Sequence, residues 1–288
     1  MLKALGPGAI GIKGLPLAEA VALAREAGFE ALVFDVREAA ALDEAEGAGR
    51  ARAMFDEAGV RPGSWSVPVG WRQGENLEAE LAALPALAAF ARELGSTRAT
   101  TGVMPGSDER PYDENLAWHA DKLRPVADVL ADEGCRLGVE FIGPKTFRAP
   151  FRYEFVHTLG GALELGAAVG TGNVGVLLDA WHLHCSGGAT VDLAQLTSND
   201  VVAVHVNDAP AGVPRDELID NVRALPLETG VIDLVGFMAA LRELGFDGPV
   251  MPEPFSARLD ELAARDPRAA AAEAGRSMEA LWRVAGLA

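Results

Sequence analysis

Cysteine is scarce in this chain, and so are basic side chains, histidine and long apolar runs. Only Cys135 and Cys185 are present. They fall at the start of one expected strand and just past the end of another, which are opposite ends of a parallel sheet. That placement argues against a disulfide between them and against a disulfide-stapled fold, leaving two buried or half-buried thiols. Lys and Arg number 25 against 42 Asp and Glu, a formal charge of −17, with an isoelectric point near 4.7. Nucleic-acid binding depends on neutralising phosphates with Lys and Arg, so no nucleic-acid partner is expected, although a local basic pocket for one small anion stays open. No apolar run approaches the roughly 20 residues of a membrane span, and no charged start leads into an apolar stretch with a small-residue cleavage site. The expectation is a cytoplasmic chain with no membrane contact.

What is present is a hydrophobic fraction of 49%, ample for a core, at a mean hydropathy of only +0.13. Apolar runs occur at GAIGIK, ALVFDV, RPGSWSVPV, STRATTGVM, CRLGVEFIG, NVGVLLDAWH, VVAVHVND and PVMPEPF. Between and after them lie Ala/Glu/Leu-rich amphipathic stretches, at roughly 16–28, 39–58, 75–94, 111–133, 153–170, 190–198, 231–245 and 258–286, whose spacing predicts helices. The stretch at 190–198 is the weakest of these. Gly28, Gly59, Gly134 and Gly245 each stand between a helical stretch and a strand, where a left-handed cap is expected. Eight strand–helix pairs with no linker between them predict one α/β domain over residues 1–288, a (β/α)8 TIM barrel of parallel strands with a filled interior.

Four of the runs carry an acidic or imidazole side chain near their ends: Glu140, Asp179, His205 and Glu253. A charge closing an apolar strand is costly to bury unless it is paired or binds a metal. Strand alternation puts Ala203, His205 and Asn207 toward the barrel axis and Val202, Val204 and Val206 outward. It likewise puts Gly175, Leu177 and Asp179 inward and Val176 and Leu178 outward. In this architecture the carboxyl ends of the strands carry the reactive groups. Three carboxylates and one imidazole, with no thiolate, suit one hard to borderline divalent ion: Mn²⁺ first, then Mg²⁺ or Co²⁺, with Zn²⁺ less favoured. Taken singly, Glu140 and Asp179 could be salt-bridge residues of the barrel mouth and His205 a satisfied core histidine.

The segments GVEFIGPKTF, VLLDAWHLHCSGG, VHVNDAP and PEPF resemble the xylose isomerase-like barrel superfamily, in particular its sugar isomerase/epimerase branch. The resemblance spans essentially the whole chain. It implies Glu140, Asp179, His205 and Glu253 as metal ligands, Glu140 and Glu253 as the proton-transferring pair, and His182, three residues after Asp179, as a ligand of a substrate oxygen. It implies a small polyhydroxy substrate: a sugar, an inositol derivative or a related ketone. Relatives of this kind epimerise, isomerise or dehydrate through an enediolate, and a partner-dependent barrel subunit or a homo-oligomer remains compatible with the pattern. Where ketose 3-epimerases carry a second glutamate shortly after the first ligand, this chain has GPKTFR. The histidines that a trinuclear endonuclease IV-type centre takes from the early strands are missing, since none precedes His119.

Elementary chemistry agrees with that implication. A free carboxylate of pKa about 4.3 is a poor base for a carbon acid unless the resulting enediolate is stabilised electrostatically. Two carboxylates flanking the substrate would then remove and return the proton. Substrate contacts are expected from His182, from Lys145 and Arg215 in the loops after the fifth and seventh strands, and from the ring of Trp65. For Lys145 and Arg215 a solvated loop position is the competing reading, and for Arg215 a pairing with Asp216 or Glu217. Asp35, at another strand end, reads as either a structural hydrogen-bonding residue or a substrate contact, and His119, His157 and His184 are placed in two helices and a loop.

Overall fold

The computed structural model describes residues 1–287 as a closed barrel of eight parallel strands surrounded by helices. The strands are β1 (Leu2–Leu5), β2 (Ala31–Phe34), β3 (Arg61–Ser66), β4 (Arg98–Gly102), β5 (Arg136–Glu140), β6 (Val174–Asp179), β7 (Val201–Val206) and β8 (Pro249–Pro252). β1 closes the ring by pairing with both β2 and β8, through Ala4 with Ala31 and Leu2 with Pro249. The helices are α1 (Leu17–Glu26), α2 (Val36–Glu46), α3 (Arg50–Ala58), α4 (Leu77–Leu94), α5 (Tyr112–Asp132), α6 (Lys145–Arg148), α7 (Leu159–Val169), α8 (Ala180–Cys185), α9 (Leu234–Glu243), α10 (Ala257–Arg265) and α11 (Pro267–Val284). Among the described residues, no helix is long and apolar enough to cross a membrane. Both cysteines are buried free thiols.

Most elements lie where their apolar periods put them, and the departures have local causes. The first strand is LKAL and not GAIGIK. Pro7 opens a 3₁₀ turn over Pro7–Ile10, and Gly11 stops it at φ 83°. Ile10 and Ile12 are apolar because they pack into the core beneath the helices, not because they belong to the sheet. The expected helix over 39–58 is two helices, broken at Gly47 and Gly49, both with positive φ. The C-terminal one is also two, because Asp266 accepts from the Ala269 N–H at 3.0 Å and Pro267 restarts the helix. Thr158 caps α7 at Gly161, so His157 precedes that helix, while His184 lies within the short α8 rather than in a loop. The stretch from 190 forms only a 3₁₀ helix, Thr190–Gln195. Gly28, Gly59, Gly134 and Gly245 all have left-handed φ, as their place before a strand requires.

Inward and outward alternation holds for β6 but shifts once in β7. A register irregularity between Val176 and Leu177 makes Val201 and Ala203 their β7 partners, with Val202 the extra residue. A bulge of this kind turns two successive side chains to one face. Val202 therefore points into the barrel, where its Cβ lies 2.9 Å from where a Cβ on Gly138 would be. The expected outward Val202 is thus corrected. Gly138 and Gly175 leave the space it fills, and His205 and Asp179 still meet in register further along.

Candidate metal centre

Each of the four candidate ligands is delivered by a strand end. Glu140 ends β5 and Asp179 ends β6, His205 is the penultimate residue of β7, and Glu253 follows β8 directly. Asp179 is fixed from two sides, because its Oδ1 accepts from the Trp181 N–H at 2.7 Å and from Asn207 Nδ2 at 3.2 Å. One ligand atom from each of the four lies within 4.8 Å of all the others. His205 Nδ1 sits 3.3 Å from Glu140 Oε1 and 3.3 Å from Glu253 Oε1. Donors bonded to a common ion at about 2.0–2.2 Å are separated by roughly 3.0–3.5 Å, so this spacing fits a shared cation. Glu140 Oε1 and His205 Nδ1 are buried and face each other at 3.3 Å without forming a well-directed hydrogen bond, an arrangement that a bound ion between them would satisfy.

One arginine, absent from the sequence-based expectation, is built into the cluster. Arg223 lies in the long loop after β7 with its side chain 2% exposed. Its Nη1 donates to Glu253 Oε2 at 2.7 Å and to Asp179 Oδ2 at 2.8 Å, and its Nη2 donates to Asp220 at 3.1 Å. The loop is held by Asp208, whose backbone bridges Ala224. The Asp208 carboxylate accepts from the N–H groups of Thr229, Gly230, Val231 and Ile232. The only sequence signal for Arg223 is a basic residue inside ELIDNVRALP, distant from any strand end.

The charges shift one another strongly. Burial alone would lower the His205 pKa, but the Glu253 and Glu140 carboxylates outweigh it and hold the imidazole well above its usual range. Burial alone would raise the Glu253 carboxyl, but His205 and then Arg223 outweigh it and hold it well below the carboxylate range. In the metal-free chain the cluster is thus a buried ion-pair network, with protonated His205 and Arg223 set against the carboxylates.

His182 joins the quartet. It is buried, with Nε2 3.8 Å from Asp179 Oδ2 and 4.0 Å from Glu140 Oε1. Its Nδ1 accepts from the Gly143 N–H at 3.2 Å, which in a neutral imidazole places the proton on Nε2. Nε2 faces the cluster but also lies 3.3 Å from the donor Nη2 of Arg223, so both ring nitrogens meet donors. Lys145 and Arg215 are not brought to the quartet: Lys145 is 52% exposed and paired with Asp216 at 2.6 Å, and Arg215 is exposed on a cleft shared with His184 and Asp233. Trp65 is wholly buried in the hydrophobic core, so its ring offers no face to a ligand. The expected sugar-facing Trp65 is replaced by core packing. Asp35 caps α2 through the N–H groups of Arg37 and Glu38, which is the structural alternative.

The family model of the xylose isomerase-like TIM barrel matches residues 21–281. Among curated proteins, inosose isomerase of Bacillus subtilis (strain 168) is 30% identical over 146 residues, 51% of this chain and 49% of the relative. The chain thus matches about half the length of that relative. A xylose isomerase domain protein from Alicyclobacillus acidocaldarius subsp. acidocaldarius superposes with a TM-score of 0.86 at 30% identity, covering 99% of each chain. An IOLI protein whose structure holds a zinc atom shares the fold at a TM-score of 0.76 and 20% identity, covering 99% of this chain and 98% of its own. With a family match across most of its length and the barrel that match entails, the chain belongs to the xylose isomerase-like TIM barrel family.

Proposed function

We propose that the chain is a divalent-metal-dependent isomerase or epimerase of a small polyhydroxy ketone, a sugar or an inositol derivative, working through an enediolate. The convergence of Glu140, Asp179, His205 and Glu253 on one point at the barrel mouth, two of them with buried ligand atoms that lack a well-directed hydrogen bond, carries this reading. The inosose isomerase relative supports the substrate class. The donor set favours Mn²⁺, and the zinc atom of the fold relative makes Zn²⁺ the competing ion. When bound, the ion would supply electrostatic stabilisation of charge developing on the substrate oxygens.

The protein's own groups divide the remaining work. Glu140 and Glu253 both turn Oε1 to His205 Nδ1 at 3.3 Å, but Glu253 Oε2 is bonded to Arg223 at 2.7 Å, which leaves Glu140 Oε2 as the carboxylate oxygen open to take a proton. Glu253, on the other side of the cluster, would return the proton to the opposite face of the substrate. His182 Nε2, between Arg223 Nη2 and the carboxylates, would meet a substrate oxygen at the edge of the cluster. Arg223 holds the Asp179 and Glu253 carboxylates in place while the charge beside them changes. Loss of a β-hydroxyl from the same enediolate would make the enzyme a dehydratase.

The reaction is read directly by incubating the Mn²⁺-loaded chain with keto-inositols and ketoses in D₂O. Solvent deuterium at the carbon next to the carbonyl supports the proposal, an unsaturated ketone or its aromatised product favours dehydration, and neither signal across the panel overturns it.

A further inference from the structure

A second, smaller site lies beside the metal centre. Arg72, in the loop after β3, stacks on the Trp71 ring with its guanidinium carbon 4.4 Å from the ring centre. Its Nη2 donates to the Gly102 carbonyl, and its Nε is buried with no hydrogen-bond partner. Among the described residues no carboxylate lies within ion-pair distance of it. In a chain with 42 acidic residues and 25 basic ones, a half-buried arginine left without a counter-charge is out of keeping with the rest of the molecule. Burial without compensation is also what lowers its pKa.

Arg72 lines a cavity of about 240 Å³ together with Arg110, Trp118 and His119. Arg110 stacks on Trp118 at 4.7 Å. Burial, aided by the two arginines, pushes His119 down to about 4, so at neutral pH the imidazole adds no charge. Asp108 and Glu109 also line it, Asp108 accepting from the Arg152 N–H at 2.9 Å and Glu109 paired with Arg110 at 3.0 Å, so Arg72 is the lining cation without a carboxylate partner. Arg72 itself is tied to the strand next to the reaction centre. Gly102, which holds Arg72, is the register partner of Glu140, and a Cβ on Gly102 would lie 3.8 Å from Glu140 Oε2.

We infer that Arg72 forms an oxyanion subsite for a carboxylate or phosphate on the substrate, at the end away from the metal-binding quartet. An arginine laid on an aromatic face is pre-oriented, and with Nη2 donating to the Gly102 carbonyl and Nε buried, Nη1 is the donor left for an anion. The substrate of the proposed reaction would then be an acidic polyhydroxy ketone rather than a neutral one, an assignment that rests on the isomerase reading.

The test is independent of turnover. Malonate and, separately, inorganic phosphate are titrated calorimetrically into the Mn²⁺-loaded chain and into the same chain after chelation, which removes any contribution from anions bound to the ion. Saturable binding of one equivalent in both samples is expected, weakened at least tenfold by Arg72→Gln, since a charge-assisted hydrogen bond contributes about 1.5–3 kcal/mol. Metal stoichiometry and the circular dichroism spectrum should not change. Tighter malonate identifies a carboxylate, and tighter phosphate a phosphorylated substrate. Arg72→Lys, which keeps the charge but not the planar guanidinium, should be intermediate, and it serves as the comparison if Arg72→Gln folds poorly. Absence of saturable binding of either anion, or wild-type affinity in the Arg72 variants, overturns the subsite and leaves the metal-dependent isomerase reading standing. Failure to bind metal would sink that reading without touching the anion titration.

Discussion

Arg223 Nη1 donates to Glu253 Oε2 at 2.7 Å, so a fixed cation from a loop is bonded to a carboxylate presented by a strand end. The same nitrogen reaches Asp179 at 2.8 Å. Removing one partner of a buried pair strands the other charge, at about 3–5 kcal/mol. Arg223→Gln should therefore lower the unfolding free energy of the metal-free chain, read by urea titration, by that amount, and added Mn²⁺ should recover part of the loss by supplying charge to the same carboxylates. Wild-type stability in the metal-free variant would mean that the bridge contributes nothing.

Asp208 tests whether the loop places Arg223. Its fully buried carboxylate accepts four N–H groups from residues 229–232. Asp208→Ala leaves those donors without their acceptor, each buried one costing about 1–3 kcal/mol. The expected outcome is a loss of several kcal/mol and faster amide exchange confined to that loop; unchanged exchange there would assign the positioning of Arg223 to its own ion pairs.

The pH dependence of the metal-free chain has two edges. Glu253 is depressed below its ordinary 4.5, so its contribution is present above about pH 4.5 and is lost as pH falls through the folded value. His205 is raised above 6.5, so its contribution is full below about pH 6.5 and is lost as pH rises through its folded value. Thermal unfolding of the metal-free chain should thus peak between these limits. A bound ion takes the place of the His205 proton, so the loaded chain should keep its stability on the alkaline side and release metal on acidification. Identical pH profiles for the two forms would contradict a shared site.

Much of this was legible in the sequence because burying charge is expensive. Glu140, Asp179, His205 and Glu253 stand out as polar closures of apolar runs, and strand register then brings them together. His182 was implied by the family resemblance, through its place three residues after Asp179. Arg223 and Arg72 were not, because loop conformation decides what their long side chains reach, and composition carries no record of it. Val202 was misplaced because a bulge breaks the two-residue period without any glycine or proline to mark it. GAIGIK was mistaken for a strand because apolar residues that pack under helices look like those in a sheet.

Arg215 separates the rim from the centre. We propose that it contributes to substrate choice from the loop after β7, although its exposed position keeps it away from the quartet. Arg215→Ala should lower kcat/KM by about tenfold or less, the scale of one exposed charge contact, with metal content unchanged. Equal activity on the true substrate would assign it to the surface.

The central claim is that four strand ends hold one divalent ion, and metal stoichiometry with competitive Mn²⁺ titration measures it most directly. One equivalent per chain is predicted for the wild type, with affinity falling by at least about tenfold in each of Glu140→Gln, Asp179→Asn, His205→Gln and Glu253→Gln, since each removes a ligand of the same ion. No stoichiometric binding of Mn²⁺ or Zn²⁺, or binding indifferent to all four substitutions, would contradict it.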